Sequence, residues 1–162
     1  MKRFILAVAA ICAFVFSAMI SYAQDADAVV LTVDGHINGG AAQDYSLQQL
    51  ESLGMATIET STPWHNGKVR FEGVPLRRLM EHVGASGKTA TVLALNNYRT
   101  QIPVSDFTSY PVILAMKKDG AYMPISEKGP LFIIYPFDAS QELKSELFYS
   151  RSAWQVRKIS IE

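Results

Sequence analysis

Residues 60–80 read T-S-T-P-W-H-N-G-K-V-R-F-E-G-V-P-L-R-R-L-M, and no other stretch limits the fold as much. Asn66-Gly67 and Glu72-Gly73 are turn signals on either side of a short β-prone run, so a strand is expected over 68–71. A helix should open at Pro75, since a first helical position has no use for the N–H that proline lacks. Leu76, Leu79, Met80 and Val83 then recur at helical spacing, and Gly84 supplies the stop.

The rest of the chain has the same character. A buried strand is expected over 29–33, closed by Asp34-Gly35 and Asn38-Gly39-Gly40. Ser46 and Gln49 have capping-box spacing, ahead of a short helix carrying Leu47, Leu50 and Leu53 and ending at Gly54. Strands are expected over 55–59 and 91–95, the second running into the polar cluster Asn96-Asn97-Tyr98-Arg99. Further short strand segments lie at 102–104, 112–116 and 121–123, with a turn at 105–107. Asp119-Gly120 is the strongest hairpin signal. A buried strand over 131–135 stops at Pro136, and Ser140 caps a helix over 141–148. In the last run Trp154 and Val156 share one parity and Ile159 and Ile161 the other, which calls for a bulge near Arg157-Lys158. Strands outnumber helices and the order is irregular, so the expected fold is one α+β domain with a mixed or mostly antiparallel sheet.

Residues 1–23 read as a cleaved signal peptide. Lys2 and Arg3 precede an apolar run over 4–20, and Ser21-Tyr22-Ala23 forms a small-residue exit before Gln24. A retained membrane anchor is the competing reading, and Ile11 before Cys12 argues against a lipoprotein. The domain then occupies residues 24–162. The 15 basic and 15 acidic side chains balance over the whole chain, so losing Lys2 and Arg3 leaves a slightly acidic domain with no footprint for nucleic acid. The chain's one cysteine, Cys12, leaves with the signal, and with it any disulfide, thiolate ligand or sulfur nucleophile.

Trp64, beside Pro63 and His65, offers either a stacking face for a flat ligand or a loop tryptophan packed on the core. Asn96, Asn97, Tyr98 and Arg99 place four hydrogen-bonding side chains at a strand end, suited to polar ligand contacts or to satisfying their own turn. Arg99 and Arg151 suit an acidic group or a ring carbonyl, and surface pairing explains each equally well. His36, His65 and His82 form no ligand pair, so no metal is expected. Ser61, His65 and Asp106 could be drawn as a triad, but no nucleophile elbow supports it. Gly35, Gly39, Gly40, Gly54 and Gly67 match neither a dinucleotide nor a phosphate loop.

Trp64 with Gly73-Val74-Pro75-Leu76, the run Asn96-Asn97-Tyr98-Arg99-Thr100-Gln101-Ile102-Pro103, Gly129-Pro130-Leu131 and Ser152-Ala153-Trp154 together resemble the molybdopterin-binding domain of the sulfite oxidase family. The resemblance covers nearly all of the chain after residue 30. It implies that fold, and it implies a molybdenum-ligating cysteine at a position held here by Thr60 or Ser61. A hydroxyl is a poor substitute for a soft thiolate. The sequence is most similar to small periplasmic pterin-binding relatives that lack the cysteine. The resemblance therefore implies a reduced pterin as ligand, with molybdopterin and metal not expected. It also implies docking on the periplasmic domain of a membrane enzyme that makes or degrades cyclic di-GMP and controls biofilm formation. It groups Trp64 with Tyr98, Tyr149 or Trp154 as stacking partners, and leaves Asn96, Asn97, Arg99, Asp138, Glu142 and Arg151 as candidates for the pterin edge. The alternatives are a molybdopterin-dependent oxidoreductase of the same family and an assembly partner with an empty pocket.

Overall fold

The computed structural model describes residues 28–162, so the signal peptide expected over 1–23 lies outside the described residues. Two sheets carry the fold. The first has the order β2 (Gln43–Tyr45), β1 (Leu31–Gly35), β10 (Val156–Ile161), β5 (Thr89–Ala94), β6 (Arg99–Pro103). Its β1–β10 pair is parallel and its other pairs are antiparallel. The second has the order β3 (Ala56–Thr62), β4 (His65–Pro75), β7 (Ile113–Lys118), β8 (Ala121–Tyr122), with β9 (Phe132–Ile134) also paired to β7. Helices are short: α1 (Leu47–Ser52), α2 (Leu76–Val83), α3 (Asp106–Ser109) and α4 (Glu146–Arg151). This is the α+β, mostly antiparallel architecture that the sequence implies.

Residue alternation explains where the core sits. Leu114 and Met116 of β7 and Ile133 of β9 join an apolar cluster with Leu31, Val92 and Ile159 of the first sheet and with α1 and α2. Ile113, Ala115, Phe132 and Ile134 point the other way, into a second cluster with Ile58, Val69 and Phe71. Strand segments buried on both faces must be apolar at every position, which is why 113–116 and 132–134 read as continuous runs. Trp64 packs against both clusters.

Local signals hold where the chemistry is local. Ser46 Oγ accepts from the Gln49 N–H and the Gln49 side chain accepts from the Ser46 N–H, completing the capping box. Gly84 closes α2 with φ 62°, and Asp119 and Gly120 both take positive φ in the β7–β8 hairpin. The register of β10 shifts between Val156 and Lys158, as the parity change requires.

Other expectations are corrected. The turn expected at Asn66-Gly67 falls at Pro63-Trp64, because Thr62 pairs with His65, and Asn66 and Gly67 lie in a bulge between that pair and Ser61–Lys68. Gly67 uses its φ of 72° there rather than in a hairpin turn. Glu72-Gly73 is no turn either. It lies inside β4 at a register shift, and a Cβ on Gly73 would run into the Leu114 carbonyl of β7. Pro75 ends β4 and α2 starts at Leu76. β1 begins at Leu31, which leaves Val29 exposed. The helix expected over 141–148 is broken into a 3-10 turn at Gln141–Leu143 and α4, because the Ser145 hydroxyl donates to the Glu142 carbonyl and its backbone is extended.

Candidate functional site

The β3–β4 turn places Trp64 at the middle of an aromatic cluster. Its ring centroid lies 5.4 Å from Phe132, 5.6 Å from Trp154, 5.9 Å from Tyr149 and 6.2 Å from Phe137. Most of these contacts are edge-on, the arrangement that ring quadrupoles favour. The cluster has two layers. Phe71, Phe132 and Phe137 are buried and form a floor, while Trp64, Tyr149 and Trp154 are half-buried. Trp154 is held by an isolated antiparallel bridge to Phe132. The Lys128 ammonium sits 4.5 Å above its ring, a cation–π contact. The three outer residues thus make a shelf fed by one hairpin turn and the α4–β10 segment.

The turn is braced by polar contacts. Thr62 Oγ1 accepts from the Trp64 N–H at 3.3 Å and lies 2.8 Å from His65 Nδ1. Burial, and then the Lys118 and Lys128 charges, lower the His65 pKa, so the imidazole is neutral at pH 7 with Nδ1 engaged.

Thr60 and Ser61 occupy the position to which the resemblance assigns the thiolate. Thr60 is fully buried, and its Oγ1 accepts from the Asp138 N–H at 3.0 Å and donates to the Ser61 carbonyl at 3.2 Å. Ser61 gives both its N–H, at 2.8 Å, and its hydroxyl, at 2.5 Å, to the Asp138 carboxylate. Lys144 Nζ lies 2.9 Å from the same group. The Ser61 hydroxyl first, then Lys144 and the Ser61 N–H, hold the Asp138 pKa well below the carboxylate range. Asp138 follows Phe137 directly, so this clamp also sets the floor under Trp64 and Tyr149.

Arg151, at the other end of the shelf, is committed elsewhere. Its guanidinium donates to Asp106 Oδ2 at 2.8 Å, and the Tyr135 hydroxyl donates to the same oxygen at 2.7 Å. Burial, and then Asp106, raise the Tyr135 pKa far above its ordinary value. Glu142 accepts from the Tyr110 hydroxyl at 3.2 Å.

The structure therefore brings Trp64, Tyr149 and Trp154 together, with His65 next in sequence to Trp64. Tyr98 approaches through the backbone, its hydroxyl donating to the Ser150 carbonyl of α4 at 2.7 Å. Asn96 Oδ1 accepts from the Tyr98 N–H, and Asn97 takes a φ of 65°, so both asparagines serve the β5–β6 turn. Arg99 is exposed at the start of β6. Sequence reasoning missed Lys128, the phenylalanine floor and the Asp106 anchor. Only the parity of Phe132 within 131–135 signalled any of them, and parity does not say which face a ligand sees.

The molecule is thus an α+β domain of two mostly antiparallel sheets with an aromatic cluster at the β3–β4 turn. Residues 19–140 match the oxidoreductase molybdopterin binding domain, and the chain belongs to that family. Among solved structures it is similar to the sulfane dehydrogenase SoxCD from Paracoccus pantotrophus, with TM-score 0.60 and 15% identity over 81% of this chain. The match covers 37% of that chain, so this protein spans little more than a third of its length. No curated protein matches it in sequence. The donor set at Thr60 and Ser61 does not fit a molybdenum–thiolate bond, because both hydroxyls are hard and already bonded to the Asp138 segment.

Proposed function

We propose that the domain binds a reduced pterin on the Trp64–Tyr149–Trp154 shelf, without molybdenum and without catalysis. One observation carries this reading: three half-buried rings lie on a buried phenylalanine floor beside a hydroxyl–carboxylate clamp where a metal-binding thiolate is expected. A pterin is flat and apolar on its faces, which suits stacking, and its polar edge needs partners or burial leaves it unpaired. Lys128 Nζ, over the ring of Trp154, is available for that edge. Lys128 leaves the face of Trp154 when the ring of the ligand takes its place.

In the same reading the protein is exported to the periplasm and reports the pterin to the periplasmic domain of a membrane cyclic di-GMP cyclase or phosphodiesterase. Signalling requires that the pterin change the affinity for this partner, since a ligand with equal affinity in both states shifts nothing. Metal analysis of protein exported by its own host tests the reading. Stoichiometric molybdenum would overturn it in favour of a molybdopterin-dependent oxidoreductase. Partner binding is tested with Trp64→Ala, which should abolish the effect of pterin and leave the basal affinity unchanged.

A further inference from the structure

A concavity of about 640 Å³ lies between the start of β1, the end of β5, the β8–β9 loop and the start of β10. Its volume is in the ~300–1,000 Å³ range of small-ligand sites. Val29, Leu95 and Ile125 line it and are 59%, 44% and 58% exposed. A large apolar side chain left in water gains nothing, so three converging on one hollow mark it as a surface to be covered. Met123 and Val156 form its buried base.

The bulge in β10 gives this hollow its charge. Val156 pairs with Ala94 and Lys158 with Leu93, so Arg157 is the extra residue without a cross-strand partner. A bulge re-aims the side chain it carries. The Arg157 Nε donates to the Ala94 carbonyl at 3.3 Å, which anchors the guanidinium at the rim. Its terminal nitrogens meet no carboxylate among the described residues, and none of the lining residues is acidic. Lys158, also on the rim, is neutralised by Asp34 at 2.6 Å. An apolar hollow whose guanidinium meets no carboxylate among the described residues suits a ligand with an apolar body and one anionic head.

We propose that this groove is a second ligand site, for a free amphipathic anion whose apolar body covers Val29, Leu95 and Ile125 and whose head group pairs with Arg157. It is independent of the pterin reading. The test is fluorescence titration of the protein with 1-anilinonaphthalene-8-sulfonate, followed by displacement with sodium decanoate or with decanol. Saturable binding at one site is expected, lost in Ile125→Asp and in Leu95→Asp. Arg157→Gln should weaken decanoate about tenfold, the scale of a charge-assisted hydrogen bond, and leave decanol unchanged. Trp64→Ala should have no effect. All three groove residues are exposed, so unchanged melting temperatures will show that the variants fold. Absence of saturable binding, equal affinity in the groove variants, loss in Trp64→Ala, or binding only to anionic vesicles would each overturn the proposal.

Discussion

Two carboxylates pin the aromatic shelf, one from a dry site and one from a wet one. Asp106 is buried and shares one oxygen between Arg151 and the Tyr135 hydroxyl, tying α3 to α4 and to the end of β9. Asp138 is reached by solvent and collects Ser61 and Lys144, tying β3 to the Phe137 turn. The two look alike as contact lists. They differ in what water can repair: a lost partner at Asp138 is replaced by solvent, and a lost partner at Asp106 is not. The dry clamp fixes α4, which carries Tyr149, and the wet clamp fixes the Phe137 turn under Trp64 and Tyr149.

Arg151→Met breaks the dry site most severely. It leaves the Asp106 charge buried without its cation and should cost about 3–5 kcal/mol, read from urea denaturation midpoints. A cost below about 1 kcal/mol, the range of exposed pairs, would show that the two sites are not different in kind. Tyr135→Phe removes only the hydroxyl from the same oxygen and should cost about 1–3 kcal/mol in the same measurement.

The wet site should give smaller and pH-dependent effects. The Asp138 pKa in the folded protein lies below its value in the unfolded chain, so the stability it contributes is present above about pH 4, the unfolded carboxylate range. That contribution is lost as pH falls through the folded pKa. Asp138→Asn should lower the melting temperature modestly at pH 7, and the difference should shrink below pH 4. A difference that grows on acidification would contradict the assigned direction. Ser61→Ala should do the same more weakly, since the Ser61 N–H and Lys144 remain.

This contrast also explains what could be read in the sequence. The capping box at Ser46 and Gln49 spans three residues, and the Asp119-Gly120 hairpin and the Gly84 cap are set by φ at single positions. Parity alone located the bulge that frees Arg157. The clamps are different. Ser61 and Asp138 are 77 residues apart and Arg151 and Asp106 are 45 apart, and no spacing rule joins them. Glycine chemistry misplaced the β3–β4 turn because a positive φ serves a bulge as well as a hairpin, and at Gly67 it serves the bulge. Trp64 and Trp154 were legible as aromatic residues in suggestive places. That Tyr149 and Trp154, rather than Tyr98, pack against Trp64 depends on α4 starting at Glu146 after the break at Ser145.

The outer rings of the shelf are proposed to stack a reduced pterin. The most direct test is anaerobic tryptophan-fluorescence titration of the protein with a reduced pterin, repeated with Trp64→Ala. Saturable quenching with one site per chain is expected, lost in the variant while its melting temperature shows a folded protein. No saturable quenching of the wild type, or equal quenching in Trp64→Ala, would contradict it.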